Sequence, residues 1–491
     1  MKKNFIAIAL TAIGFTTAQA QFSVKYDPEI QPTGNIQYFT PAGGNQFVGD
    51  CIPFYKDGTY YLYWLLDEGH HSALDGLGGH QWCVSTSTDL KNWKHHPIAI
   101  GIDEEWEKSI CTGSVAFDGK LFYAFYATRL INEDNQVNEQ LSYAISKDGF
   151  TFEKQKPNPF YTFAPGYSKR HFRDPKVVID KDGTFHLFVS SEADDYVISE
   201  GRGSLVHLTS KDLKEWSVQK PLLTGQRDVP ECPDYFKWND WYYLVYGQGG
   251  DIYYVKSRKP YGPWEYPESQ ALLEQWVNVA KTAEFKGNRR IVGGWIPSKN
   301  ENKDYGYERF GGSSVLREAY QMPNGDLATK FPAEVLPDTK SPLNFSLTGA
   351  ENAKKVSDKE VCLTAPGAIG GAYIKDLPYS CRVTLDIEPV GNNHEYGFFL
   401  RAKDKANDGY KLSFDPNKRT IRLGEDTWIE AVKDLDKPIH LDIIMKGDII
   451  DVCIDNRRCI VNRLPERKGN YLWLYAKQGT VRFKNIQVYP L

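Results

Sequence analysis

The sequence predicts an all-β protein: a five-bladed β-propeller followed by a C-terminal β-sandwich. Three observations predict it. An aromatic hairpin recurs five times over the first two thirds of the chain, a short second motif trails most copies, and short alternating strands without helical period take over from about residue 344. Length and composition agree. The 491 residues exceed one typical domain, and 41% hydrophobic with 14% aromatic content supports a large core. Thirty Tyr and 12 Trp against three Met favour strands. Disorder, a collagen-like chain and a coiled coil are excluded on the same grounds. Charge is nearly balanced, 59 basic against 63 acidic residues with no basic stripe, so no nucleic-acid partner is expected.

The elements follow in order. Lys2 and Lys3 precede an apolar stretch over 5–15 and the small-x-small pattern Ala18-Gln19-Ala20. This predicts a signal peptide over 1–20, cleavage after Ala20, and a secreted or periplasmic product. The apolar stretch is too short to span a bilayer and no later one is long enough, so no membrane span is expected. The propeller is assigned to 21–335. Asp57-Gly58, Asp118-Gly119, Asp182-Gly183, Asn239-Asp240 and Gly287-Asn288 each feed a β-branched or aromatic run, such as Tyr60-Tyr61-Leu62-Tyr63-Trp64. Ser87-Thr88-Asp89-Leu90-Lys91-Asn92-Trp93 matches Ser210-Lys211-Asp212-Leu213-Lys214-Glu215-Trp216, with looser copies at 146–150 and 257–264. A period of roughly 50 to 65 residues suits a four-stranded blade, and closing five blades into a ring protects the sheet edges. Pro332, Pro337 and Pro342 punctuate a connector, and 344–491 form the sandwich, with strands at 381–386, 396–400 and 481–486. The eight Cys include no CxxC pair, which excludes zinc ribbons and thioredoxin motifs, and most are read as small buried apolar residues.

Chemistry in a propeller sits where the innermost strands meet. Asp50 lies inside an apolar strand before the first hairpin, Asp174 before the third and Glu231 before the fourth. A carboxylate among apolar neighbours is costly unless paired or used, and blade symmetry brings these three around one axis. Two facing carboxyl groups are the minimal machinery of glycoside hydrolysis, one protonating the leaving oxygen and the other attacking the anomeric carbon or activating water. A third acid beside an arginine suits holding sugar hydroxyls, and Arg173 is expected to keep Asp174 ionised.

The ordered motifs resemble glycoside hydrolase family 32, the invertase, inulinase and levanase enzymes. HFRDPKV at 171–177 and ECPDYF at 231–236 resemble its RDP and EC motifs, and Cys111-Thr112-Gly113-Ser114-Val115 its SGS segment. Gly79-His80-Gln81-Trp82 through Trp93 resembles its GHA…S-x-DL-x-x-W segment, and Gly311-Gly312 through Leu327 its fifth-blade ending. The resemblance implies Glu231 as acid/base catalyst, Asp174 as transition-state stabiliser and Asp50 as nucleophile. It implies no cofactor and an oligo- or polysaccharide substrate. The nucleophile motif departs from the family's WMNDPNG: the chain reads QFVGDCIPF, with Gly49 for the Asn before the acid, and Leu65 stands near the place of a strand-terminal Gln. Two amides that recognise a fructosyl unit are thus missing.

The expected activity is that of an exported retaining β-fructofuranosidase on fructans or sucrose-type sugars. The alternatives are another furanoside, arabinofuranoside or galactofuranoside, and a non-catalytic carbohydrate-binding propeller. Arg173, Thr112, Trp82, Trp64 and His80 complete the expected substrate-binding set, with Trp295 a further stacking candidate. Trp93 and Trp216, at equal repeat positions, are read as blade packing. His70, His71 and His80 are not read as a metal site, for want of a carboxylate or Cys at ligand spacing. The segment 68–79, rich in Gly and His, is expected to loop over the funnel.

Overall fold

The fold is that of a computed structural model describing residues 26–491 except 32, 268–270 and 274. The expected leader and its cleavage point lie outside the described residues. Each repeated turn dipeptide joins the first two strands of a four-stranded antiparallel blade. The blades run from Gln46–Lys56 to Trp93–Ile100, Ser109–Phe117 to Glu153–Lys154, Tyr167–Ile179 to Ser217–Gln226, Glu231–Trp238 to Ala271–Leu273, and Asn278–Phe285 to Leu327–Lys330. At the first turn Asp57 (φ 48°) and Gly58 (φ 82°) both take the left-handed backbone that a two-residue hairpin loop requires. The trailing motif is a side-chain-closed turn. Asp89 accepts the N–H groups of Lys91 and Asn92, Asp148 those of Phe150 and Thr151, and Asp212 those of Lys214 and Glu215. The residue after each Asp (Leu90, Gly149 or Leu213) has φ between 63° and 78°. Trp93 is buried beside Tyr60 and Trp216 packs edge-on to Phe125, as blade-packing residues do.

The five innermost strands touch in cyclic order, the fifth returning to the first. The long strand Glu308–Gln321 reaches past its own blade, where Gly312 pairs with Val48 and helps seal the ring. In every blade the innermost strand carries a bulge at the same height, two residues facing one on its neighbour. The bulged pairs are Gly49-Asp50, Cys111-Thr112, Asp174-Pro175, Cys232-Pro233 and Val279-Ala280. A bulge bends the strand and re-aims a side chain, so five in register turn a run of ladder positions into a ring of residues around the axis.

The sandwich strands alternate as a half-buried sheet must, Cys381–Val390 burying every second residue. Strand Tyr471–Pro490 serves both sheets: 471–477 pair with Glu395–Ala402 and 480–490 with Cys381–Val390. Ile449 and Val461 of the sandwich pack into a cluster with Tyr243, Trp276 and Val315 of the propeller. Beside it Arg317 and Asp451 form a fully buried ion pair at 2.7 Å, and Tyr38 Oη donates to the same carboxylate at 2.8 Å. The eight cysteines are free thiols, seven buried and Cys362 half-buried.

Candidate active site

The bulges converge. Asp50, Thr112, Asp174, Cys232 and Val279 line one cavity of about 460 Å³ together with Glu231, Arg173, Trp295 and Phe310. That volume is within the range of small-ligand sites.

Asp50 is 8% exposed. Trp295 Nε1 donates to its Oδ1 at 3.1 Å, and the Cys232 thiol approaches Oδ2 at 3.9 Å. Burial pushes the Asp50 carboxyl up to about 7; the Lys281 ammonium works against this, while the charges of Asp174 and Glu231 add to it. Lys281 is itself buried, donating Nζ to Thr112 Oγ1 (2.7 Å) and Gly113 O (3.0 Å). It stands as a fixed positive charge behind the acids.

Asp174 takes φ 55°, a strained backbone that its bulge enforces, and accepts the Cys232 N–H at 3.0 Å. Burial raises its carboxyl to about 6, with Arg173 opposing and Glu231 adding. Arg173 acts in the expected direction, opposing the rise without cancelling it. Its Nε stands 3.7 Å from Asp174, while NH2 donates to Glu231 at 2.9 Å and NH1 to His171 at 2.7 Å and toward Glu139 at 3.4 Å. Desolvation therefore outweighs it at Asp174. Glu231 is the most open of the three acids, its side chain 42% exposed, as suits a group that exchanges protons with a leaving group and water. Behind Arg173, Glu139 is bridged to Arg129 at 2.8 Å, and the two guanidinium groups hold its carboxyl below the usual range despite burial.

The sequence-derived set divides. Asp50, Asp174, Glu231, Arg173, Thr112 and Trp295 meet at the cavity, but Thr112 and Trp295 are each 1% exposed with their polar atoms bonded to Lys281 and Asp50, so the sugar contacts expected of these two are corrected to a supporting place in the wall. Trp64 and Trp82 do not meet there; both are corrected to core residues. Trp64 fills the space between the first and last blades and donates Nε1 to Ser85, and Trp82 fills the space between blades 1 and 2 and donates to Cys111 O. The aromatic face of a blade is consumed by packing on the next blade before any is left for sugar. His80 reaches the cavity wall but is 2% exposed, stacked on Phe310, with Nε2 at 3.1 Å from Asp67 Oδ1, so its expected place in the substrate-binding set is corrected as well. Sequence reasoning missed Lys281, Glu139, Arg129 and Phe310. Phe310 explains the departed motif: a Cβ on Gly49 would lie 2.8 Å from its ring, so the ring occupies the direction in which an Asn side chain would start. Leu65 lines the cavity beside it.

A deeply buried carboxyl, a second one held by a bulge and a third open one on an arginine are the parts needed for acid-assisted displacement at a sugar's anomeric carbon. Known proteins resemble the chain in sequence and in fold. The chain is 24% identical to a levanase of Bacillus subtilis (strain 168), over 100% of this chain and 75% of that one. It is 26% identical to a sucrose-6-phosphate hydrolase of Escherichia coli over 52% of this chain, the match spanning only 57% of that enzyme's length. In fold it matches fructan 1-exohydrolase IIa from Cichorium intybus with TM-score 0.71 at 16% identity, covering 94% of this chain and 98% of that one. A Bombyx mori GH32 beta-fructofuranosidase matches with TM-score 0.68 at 16% identity, over 95% of both. Residues 51–319 match the Glycosyl hydrolases family 32 N-terminal domain, a stretch that opens one residue after the divergent Asp50 position and contains Asp174 and Glu231; the chain belongs to glycoside hydrolase family 32.

Proposed function

We propose that the protein is a β-fructofuranosidase that removes terminal fructosyl units from fructans or sucrose-type sugars by retaining double displacement. The observation that carries this is the convergence of Asp50, Asp174 and Glu231 on one cavity through the in-register bulges. The names of the levanase, the fructan exohydrolase and the fructofuranosidase support the substrate class.

In the proposed cycle, the Glu231 carboxylic acid donates its proton to the glycosidic oxygen while the Asp50 carboxylate attacks the anomeric carbon. The bond to the leaving alcohol breaks and a fructosyl ester forms on Asp50. Glu231, now a carboxylate, takes a proton from water, which attacks the same carbon and frees Asp50. Glu231 accepts a hydrogen bond from Arg173. Substrate therefore has to draw the carboxyl toward the glycosidic oxygen, leaving Arg173 to Glu139 and His171. Asp174 faces the sugar hydroxyls and Trp295 orients Asp50. Export belongs to the same proposal and is supported by the leader pattern over 1–20.

The test is to incubate purified protein with sucrose, inulin, levan, arabinan and aryl furanosides and identify the released sugar and its first-formed anomer. Fructose released with its configuration kept supports the proposal. Arabinose or galactose as sole product would instead assign the Phe310 wall to another furanoside, and an inverted product would remove Asp50 as nucleophile.

A further inference from the structure

Next to the catalytic cavity lies a second cluster of ligating side chains that the proposed cycle does not use. Asp67 is the last residue but one of the second strand of blade 1, Thr59–Glu68; His71 lies in the loop that follows, and His80 stands just before the third strand. One donor atom from each lies within 4.8 Å of the others. Two of the three donors are already closer: His80 Nε2 and Asp67 Oδ1 are 3.1 Å apart. Donors sharing one tetrahedral ion at bonds of about 2.0–2.1 Å stand roughly 3.3 Å apart. A shift on the order of 1.5 Å in the His71 ring, in a loop of partly exposed residues, closes the set.

Independent observations point to a ligand. Asp67 is fully buried, yet its Oδ2 has no hydrogen-bond partner, and neither does His71 Nδ1. A buried carboxylate oxygen without a partner is expensive, and a cation is the partner that meets both lone pairs. The two imidazoles also flank a space that only glycine leaves open. A Cβ on Gly78, itself at φ 96°, would lie 3.0 Å from Cε1 of each ring. Phe310 backs the pair, stacked on His80 and edge-on to His71.

We propose that Asp67, His71 and His80 form a site for a divalent transition-metal ion of the zinc class, with the fourth position open to the catalytic cavity that His71 and His80 line. Two imidazoles and one carboxylate are the donor set such ions take, and calcium or magnesium would require more oxygen ligands. Ligation through His71 Nδ1 moves that ring's proton to Nε2. Arg129, whose NH1 lies 2.8 Å from that Nε2, then gives up this contact and keeps its bonds to Leu77 O and Glu139. Because Glu139 also holds Arg173, and Arg173 holds Glu231, the ion pins the loop over the cavity and joins the network that ends on Glu231.

The test uses the full chain stripped with chelator and titrated with Zn²⁺ by calorimetry and with Co²⁺ by visible absorption. The expected result is one equivalent bound, a four-coordinate Co²⁺ spectrum, and a raised melting temperature with metal. His71→Gln and Asp67→Asn should each weaken binding by more than the roughly 10–100-fold that loss of an outer-shell partner costs. His71 is only half-buried, so His71→Gln remains informative if Asp67→Asn does not fold. No binding by the parent protein overturns the proposal, and so does unchanged affinity in His71→Gln. Neither result bears on fructoside hydrolysis, which is read separately.

Discussion

In the proposed cycle Asp50 works against its own solvation. The attacking group must be ionised, while burial holds it protonated up to about 7 and Lys281 and Trp295 pull the other way. The acid limb of kcat/KM should therefore lie well above the ordinary carboxylate range, as a property of the coupled acids rather than of one residue. Lys281→Met should move that limb to higher pH by about 1 pH unit, and Trp295→Phe by less; full pH profiles of the three proteins check the order. The same burial has a cost in stability. Asp50 binds its proton more tightly folded than unfolded, where the carboxyl titrates near 3.8, so stabilisation from that proton is complete below 3.8 and lost as pH rises through about 7. Asp50→Asn, which cannot ionise, should consequently melt higher than the parent at pH 8, by on the order of 2 kcal/mol, with the gain shrinking toward pH 4. Thermal melts at the two pH values measure it. A gain that is equal at both would mean that the charge is not what is strained.

At the level of elements, the bulge is the device that makes a site out of a packing strand, and it needs support from the neighbouring blade. Ser114 Oγ donates to Pro175 O and accepts from Val177 N, both at 2.7 Å, so blade 2 satisfies the backbone that the blade 3 bulge frees beside Asp174. Ser190 Oγ likewise donates from blade 3 to Pro230 O at 2.7 Å, next to Glu231. Ser114→Ala should cost about 1–3 kcal/mol, the range for buried polar groups left unpaired. It should also lower kcat, since Asp174 loses its setting; denaturant melts and kinetics read the two effects. Ser114 shows how the sequence could be read. It stands in the segment resembling the family's SGS, yet its partner lies a whole blade further along the chain and no spacing reveals the bond. The blade repeat, the hairpin turns and the three acids were legible, because each is a local pattern repeated or ordered along one chain. Trp64 and Trp82 were misassigned because an aromatic in a strand looks the same whether its face meets sugar or the next blade. Phe310 and Lys281 were invisible for the opposite reason: nothing around them marks them, and only ring closure brings them beside Asp50.

Over the whole molecule, the propeller and the sandwich share one buried seam, where Arg317 and Asp451 are sealed among Ile449, Val461 and the fifth blade. Arg317→Met would leave the Asp451 charge buried beside Tyr38, which should destabilise the protein by about 3–5 kcal/mol. Unfolding by tryptophan fluorescence and by circular dichroism should remain one coincident transition, because the sandwich supports the blade that closes the ring. That ring is what brings Asp50 together with Glu231 from a distant blade, and their joint action on one sugar is the claim that matters most. Glu231→Gln slows both steps, but an aryl fructoside with a good leaving group needs little protonation, so the ester on the nucleophile should accumulate. Rapid acid quench, digestion and peptide mass spectrometry should find one hexosyl unit on the peptide bearing Asp50. A hexosyl unit on the peptide of Asp174, or turnover that leaves no covalent species on any carboxylate, would contradict it.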